Sequence, residues 1–234
     1  MIIVKDYDGN SFSDFEEKKV VTSTGISDIS ITSNIIPVTI SASELDTDTI
    51  VVYLTGKSCS RFLKHNMNVL SVGSKLCISV GGEDDSLLNS QSANLLNNLT
   101  LQVILPKLKF AKLTWVSSKK TAALVINSGV DFETINATSA AGDIYSYATF
   151  KNASLSTTEG NIILNIDAKE DISVDASTFY GNLTASFRNI SKFVNFSIAA
   201  QSGLFQNNGK GKMKENGYLA DILLVSSNGQ ITIE

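Results

Sequence analysis

Few side chains in this sequence could carry acid–base, nucleophilic or metal chemistry. His65 is the only histidine, so a Ser-His-Asp or Cys-His arrangement would have to use it as the base. Its neighbours Lys64 and Asn66 are polar and predict a surface loop. Cys59, His65 and Cys77 are spaced irregularly and lack a fourth ligand, unlike a structural zinc site. We therefore expect no catalytic residue, no metal and no cofactor, and whether the two cysteines pair stays open.

Cleavage of a glycosidic bond would need two carboxylates about 5–9 Å apart. Asp143 is the candidate for one of these acids. The repeats described below would stack equivalent residues ~4.8 Å apart, so a second acid at an equivalent position would complete the pair. The residues expected to follow it in that stack are Asn161, Asn182, Leu204 and Gln230. Such a column is an amide ladder rather than a pair of acids, so a carbohydrate-active enzyme is the least favoured function.

One stretch of the chain is basic, and it consists of Lys107, Lys109, Lys112, Lys119 and Lys120. These lysines alternate with apolar residues, which is typical of the solvated face of a strand. The alternative is a contact surface for an anionic polymer. The net charge of the whole chain is −4, whereas a nucleic-acid binder normally carries a basic surplus, so no nucleic-acid partner is expected.

The composition indicates a folded, β-rich chain. Of its 234 residues 43% are hydrophobic and 18% are charged, and the low charged fraction is made up by Ser, Thr and Asn, which favour turns and the outer faces of sheets over helices. No window approaches the ~18 apolar residues of a membrane span. No secretory signal is visible in the chain as given, so we expect a cytoplasmic protein, or a surface or exported one if the N-terminus is truncated.

A repeated frame in the second half of the sequence predicts the fold. Apolar residues lie seven and five positions before a glycine and two positions after it, as Ile135, Ala137 and Ile144 do around Gly142. The frame recurs around Gly160, Gly181, Gly203 and Gly229, and Gly129 gives a degenerate sixth copy. The five good copies are 18, 21, 22 and 26 residues apart, too close for a βαβ unit of roughly 30 residues. Each glycine is expected to supply a positive φ at a sharp corner.

This frame predicts an all-β fold, a single right-handed parallel β-solenoid with coils of about 20 residues. Its interior would stack the following residues in chain order: Ile144, Ile162, Leu183, Phe205 and Ile231. The alternative is an antiparallel β-sandwich, because turn signals also recur every 8–12 residues. Residues 1–25 would be a polar lead-in or N-terminal cap, and residues 26–234 one solenoid domain, most regular over about 121–234.

Several short motifs resemble a known bacterial family. Val103-Ile-Leu-Pro-Lys107 follows an alternating strand, and after it come Ala141-Gly-Asp-Ile144, Glu159-Gly-Asn-Ile162, Gly181-Asn-Leu183 and Asn228-Gly-Gln-Ile-Thr-Ile233. Over about residues 27–234 this order resembles the "putative adhesin" family of domains of unknown function, in which a Leu-Pro motif precedes repeated Ser-Gly-Asp-Ile/Val units. The chain departs from that pattern at Ala141, Glu159 and Tyr180, which replace the serine.

The resemblance implies a β-solenoid and a non-enzymatic, adhesin-like binding role at or near the bacterial cell envelope, with an unknown protein or glycan as partner. A self-associating intracellular scaffold is the alternative. The final coil, which ends on Gln230-Ile-Thr-Ile-Glu234, has no residues left to cover it. Homo-oligomers could therefore form through solenoid ends or edges.

Overall fold

The computed structural model describes residues 4–5, 11–59, 67–80, 99–120, 122–167, 171–188, 193–200, 205–207 and 219–233. Within these residues the chain forms strands and no helix. The strands are β1 (Val4–Lys5), β2 (Ser11–Thr22), β3 (Asp28–Ser33), β4 (Val38–Ala42), β5 (Thr49–Cys59), β6 (Met67–Val72), β7 (Lys75–Val80), β8 (Leu99–Leu105), β9 (Lys109–Lys120), β10 (Leu124–Ile126), β11 (Asp131–Ala141), β12 (Ile144–Ser146), β13 (Thr149–Thr157), β14 (Ile162–Asp167), β15 (Ile172–Thr178), β16 (Leu183–Arg188), β17 (Phe193–Ala200), β18 (Phe205–Asn207), β19 (Leu219–Ser226) and β20 (Ile231–Ile233). The prediction of an all-β chain is confirmed.

The strands form two sheets, here called the first and the second sheet. The first has the order β1-β2-β5-β8-β4-β10-β12-β14-β16-β20-β18, and the second has the order β17-β19-β15-β13-β11-β9-β3-β7-β6. Both sheets are mixed. The antiparallel pairs are β1–β2, β2–β5 and β5–β8 in the first sheet and β6–β7 in the second, and the other described pairs are parallel. A single parallel solenoid is therefore not what the structure shows, and the two-sheet layering fits the sandwich-like alternative.

From β9 onward the chain alternates between the sheets. The odd-numbered strands belong to the second sheet and the even-numbered strands to the first. The predicted interior positions are paired in parallel register: Ile144 with Ile162, Ile162 with Leu183, Leu183 with Ile231, and Ile231 with Phe205. The order differs from the chain order that the sequence predicted. The pair β19–β20, last in the chain, lies between β15–β16 and β17–β18.

This insertion corrects the expectation of an uncovered last coil. Strand β20 pairs with β16 on one side and with β18 on the other, and β19 likewise pairs with both β15 and β17. The backbone groups of the C-terminal strands are thus used within the sheets. A homo-oligomer through solenoid ends or edges stays a prediction.

The core lies between the two sheets and follows strict alternation along most strands. The inward side chains of β10, β12, β14, β16 and β20 include Leu124, Ile144, Ile162, Leu183 and Ile231, which are fully buried. Burying one such side chain contributes about 1.5–3 kcal/mol. The largest buried residues are Trp115, Phe110 and Phe132, which fill the part of the core beneath β9 and β11.

Alternation is broken at the same place in three neighbouring strands. Two outward residues separate the buried positions Phe110 and Leu113 in β9, and the same spacing recurs between Phe132 and Ile135 in β11 and between Phe150 and Ala153 in β13. The aligned register keeps these breaks side by side. As a result Lys109 and Lys112 both face outward, although strict alternation would place them on opposite faces.

Strand β2, within the predicted lead-in of residues 1–25, is part of the first sheet and pairs antiparallel with β5 from Phe12 to Thr22. Glu17 and Lys19 form an ion pair at 3.3 Å on this strand. The Glu17 carboxylate also accepts a 3.4 Å bond from the Met67 backbone N–H of β6. This bond links strand β2 of the first sheet to the outer strand β6 of the second sheet. The domain division itself stays a prediction.

Candidate functional site

The edge where the chain passes from the second sheet to the first is called the glycine edge. It contains Gly142, Gly160, Gly181 and Gly229 with the residues that flank each of them. A Cβ added to Gly160 would collide with the Gly142 carbonyl, and the same holds for Gly181 against Gly160 and for Gly229 against Gly181. Close backbone approach, rather than a positive φ, is thus the reason for glycine at these corners.

Two sequence expectations about the glycines are therefore wrong. Positive φ angles are found at Gly25, Gly56, Gly73 and Gly129, and not at the glycine edge. Gly129, with φ of 86°, lies between β10 and β11 at the opposite edge, so it is not a degenerate copy of the frame. The position that stacks against Gly142 is instead occupied by Ala122.

Buried hydroxyl groups lie three residues before each of these glycines, at Ser139, Thr157, Thr178 and Ser226. Thr157 Oγ1 donates to the Gly142 carbonyl at 3.2 Å, Thr178 Oγ1 to the Gly160 carbonyl at 2.8 Å, and Ser226 Oγ to the Gly181 carbonyl at 3.0 Å. These three hydroxyls each satisfy a carbonyl of the neighbouring unit, whereas Ser139 Oγ accepts from the Gly142 backbone N–H of its own unit at 2.7 Å. The sequence predicted no role for these four residues beyond the general turn preference of Ser and Thr, although their fixed spacing before the glycines was a usable signal.

An amide ladder runs beside the glycines on their C-terminal side. Asp143 Oδ1 accepts from the Asn161 backbone N at 2.7 Å and from Asn161 Nδ2 at 3.2 Å. Asn161 Oδ1 accepts from the Asn182 backbone N at 2.9 Å, and Asn182 Oδ1 accepts from the Gln230 backbone N at 2.9 Å. Gln230 follows Asn182 directly, so the predicted place of Leu204 between them is wrong; Leu204 itself lies outside the described residues.

Asp143 lies at one end of the ladder, and both of its carboxylate oxygens accept hydrogen bonds. Its Oδ2 accepts a 2.8 Å bond from the Tyr145 hydroxyl, which leaves both carboxylate oxygens occupied. This hydrogen bond, with partial burial and the nearby negative charge, raises the pKa of Tyr145. Asp143 thus orients an aromatic ring and a neighbouring amide.

Two aromatic side chains protrude from the same edge just before Gly181. Phe179 and Tyr180 are 46% and 55% exposed, and their rings meet edge to face with centroids 4.5 Å apart. Asn228 Nδ2, from the adjacent unit, donates to the Phe179 carbonyl at 3.3 Å and helps to fix this turn. Sequence reasoning missed this pair, noting Tyr180 only as a departure from a family motif.

The five predicted lysines are not brought together as a compact cluster. Lys107, in the loop before β9, donates to the Glu44 carbonyl at 3.4 Å, and Lys109 pairs with Glu133 at 2.7 Å. The Asn136 side-chain amide donates to the Ile135 carbonyl at 3.2 Å, and its oxygen accepts from Lys112 Nζ at 3.3 Å. Lys119 and Lys120 end β9, roughly 36 Å from its start along an extended strand. An anionic-polymer contact at these lysines stays a prediction.

Cys77 is a half-buried free thiol on the outer face of β7, and His65 lies outside the described residues. In the part of the chain that the structure describes, no group of three or more His, Cys, Asp or Glu side chains is placed to hold a metal ion. None of the described residues form a helix long and apolar enough to cross a membrane.

Taken together, the geometry defines an all-β protein of two mixed sheets with an aromatic and amide-lined edge. Two solved structures are similar to it over most of their length. One is described as a "putative cell adhesion protein" from Clostridium sporogenes ATCC 15579, with a TM-score of 0.58, 15% identity, and coverage of 94% of this chain and 99% of that one. The other is a "putative adhesin" from Bacteroides fragilis NCTC 9343, with a TM-score of 0.51, 11% identity, and coverage of 94% and 97%.

At these identities the similarity shows a shared fold. No protein-family model matches the chain. No curated protein sequence matches it.

Proposed function

We propose that this chain is a non-enzymatic, adhesin-like binding module linked to the bacterial cell envelope, and that it contacts its ligand through the glycine edge. The observation that carries the proposal is the exposed Phe179–Tyr180 pair. Aromatic side chains are enriched at the energetically dominant centres of binding interfaces, where they bury a large area with few rotatable bonds. The adhesin descriptions of the two structural neighbours agree with this role.

The surroundings of the aromatic pair favour rigid presentation of the ligand-binding groups. The backbone beneath it is held by Tyr180 N donating to the Thr158 carbonyl at 2.7 Å and by Thr178 Oγ1 donating to the Gly160 carbonyl. A surface that is already ordered loses little conformational entropy on binding. A binding role is therefore better supported at this edge than at the exposed lysines.

A carbohydrate-active enzyme is less well supported by the same geometry. Asp143, the acid that the sequence singled out, stacks on the neutral Asn161 and has its second oxygen occupied by Tyr145. A glycosidase would need a second carboxyl group facing the first across the scissile bond. The role of Asp143 is better described as positioning.

We further propose that β9–β16 wind as a right-handed parallel solenoid, onto which β19–β20 and then β17–β18 stack, and that the glycine edge is a straight ridge on it. The parallel register from β9 through β20 supports the proposal, because equivalent residues recur at each ~4.8 Å step. The right hand is the one that parallel crossover connections strongly prefer.

The binding proposal is tested by comparing the wild-type chain with a Phe179→Ser/Tyr180→Ser double variant. Both are labelled and measured for binding to isolated bacterial cell envelopes and to immobilised glycans and extracellular proteins. We expect at least a tenfold loss of affinity in the double variant, equivalent to about 1.4 kcal/mol. The matched control is Tyr147→Ser, since Tyr147 is 41% exposed but lies at the opposite edge. Equal binding by all three proteins, or no binding by any, would contradict the proposal.

A further inference from the structure

We propose that the ligand of the glycine edge is a neutral, extended glycan that lies along the stacking direction of the strands. This inference rests on the proposed function, because it assigns a chemical class to the ligand of the same site. Three features of the edge carry it: its charge, its hydrogen-bonding groups and its spacing.

Among the described residues around the aromatic pair, the edge presents no positive charge, and the neighbouring Gly160 unit adds the exposed carboxylate of Glu159. The units of Gly181 and Gly229 contribute the following side chains: Phe179, Tyr180, Asn182, Thr184, Ser227, Asn228, Gln230 and Thr232. None of these can pair with a phosphate, sulfate or carboxylate as a cation would. An anionic polymer would give up part of its hydration here without a compensating ion pair and close to the Glu159 carboxylate, so a neutral ligand fits better.

The polar groups of this surface match the hydroxyls of a sugar. Asn182 Oδ1 is held by the Gln230 backbone N–H, which fixes the orientation of the whole side-chain amide. The Asn182 residue is exposed, and its side-chain amide nitrogen carries two N–H groups that can donate hydrogen bonds. A sugar hydroxyl can accept from such a group, while the Phe179 and Tyr180 rings can cover the apolar C–H face of a pyranose.

The spacing of the ladder favours a polymer over a single sugar. Asn161, Asn182 and Gln230 are joined in sequence by side-chain-to-backbone bonds of 2.9 Å, and they therefore recur at the strand spacing of ~4.8 Å. One sugar unit of an extended glycan is of similar length. Successive sugars could thus meet successive amides, and the affinity would rise with chain length.

The test uses the full chain with cellohexaose, chitohexaose and maltohexaose as neutral probes, their disaccharides, and hyaluronan and heparin as anionic probes. Affinity is measured by isothermal titration calorimetry. We expect a hexasaccharide to bind at least tenfold more tightly than its disaccharide. We also expect its affinity to be unchanged between about 0.05 and 0.5 M salt, since no ion pair is involved.

Two variants localise the binding. Asn182→Leu introduces the residue that stands at the equivalent position after Gly203, and Tyr180→Ser removes one exposed ring; each is expected to weaken hexasaccharide binding by about tenfold. Tyr147→Ser should bind as the wild type does. Circular dichroism and thermal unfolding establish that each variant is folded, and Tyr180→Ser, at an exposed position, keeps the test valid if Asn182→Leu does not fold.

The outcomes separate the inference from the proposed function. Preference for hyaluronan or heparin with a steep salt dependence would overturn the neutral glycan. Binding to a protein alone, lost in the Phe179→Ser/Tyr180→Ser variant, would also overturn it while leaving the adhesin-like function intact. If no glycan, protein or envelope binds the edge, both proposals fail.

Discussion

At the scale of single residues, the glycine edge requires both the absence of a side chain at each glycine and a hydroxyl group three residues before it. Gly181 lies so close to the Gly160 carbonyl that a methyl group has no room, and Thr178 places its hydroxyl on that same carbonyl at 2.8 Å. Gly25 differs, because its φ of 79° is unusual but a Cβ there would meet open space. Comparing substitutions at Gly181 and Gly25 therefore distinguishes the cost of a steric collision from the cost of an unusual backbone conformation.

We expect Gly181→Ala to destabilise the protein by more than about 3 kcal/mol, because the collision is with backbone and cannot be relieved by a rotamer change. Gly25→Ala is the control and should cost only about 1–2 kcal/mol, the penalty of a left-handed conformation. Urea unfolding followed by circular dichroism gives both free energies of unfolding. Equal losses in the two variants would mean that the glycine edge is not closely stacked.

At the scale of elements, an ion-pair network on the outer face of the second sheet bridges three neighbouring strands. Glu133 of β11 pairs with Lys109 of β9 at 2.7 Å and with Lys151 of β13 at 3.2 Å. The hydrogen bond from Lys109, together with Lys151 and the positive charge of both lysines, lowers the pKa of Glu133 below its ordinary 4.5. Because the groups are exposed, the contribution to stability is small and sensitive to salt.

A carboxyl group with a lowered pKa in the folded state stabilises that state fully above its unfolded value and loses the effect as the pH falls through the folded value. We therefore expect the Glu133 carboxyl to titrate below pH 4.5 in carbon-detected NMR. In a Lys109→Met/Lys151→Met variant its pKa should rise toward 4.5. Glu133→Gln should flatten the acid side of the stability profile only. An unchanged Glu133 titration in the double variant would refute this account.

At the scale of the whole molecule, the position of the C-terminal pair β19–β20 inside the stack has a measurable consequence. Chain termini usually fray, because they have few partners. Here Ile231, Thr232 and Ile233 pair with β16 on one side and β18 on the other. Among the described strands, β17 and β18 are instead the outer strands at this end of the two sheets.

We expect the backbone amides of β20 to exchange with deuterium as slowly as those of β16, within about tenfold, and more slowly than those of β18. Hydrogen–deuterium exchange measured by NMR or by mass spectrometry of peptides provides the comparison. Rapid exchange of the amides of 231–233, together with slow exchange in β18, would instead support a stack in chain order with β19–β20 at its end. The result also bears on self-association, since an uncovered C-terminal coil was its structural basis.

The all-β class, the inward residues of the later strands and the Gly-centred frame were predictable from the sequence, because alternation and corner spacing are local properties of a strand and its turn. The antiparallel pairing of β2, β5 and β8, the true partner of Gly142 and the position of the last pair depend instead on contacts between distant segments. All copies present a similar apolar interior, so the frame alone does not specify which copy lies beside which. The copies differ in the groups that bond to a neighbouring copy. The Gly203 copy has Ala200 three residues before its glycine, where the others have Ser or Thr, and Leu204 directly after it, where the others have Asp, Asn or Gln. Its strands β17 and β18 are outer strands of the two sheets. A hydrogen bond to the next unit is a long-range contact, and such contacts exist only once the chain has folded.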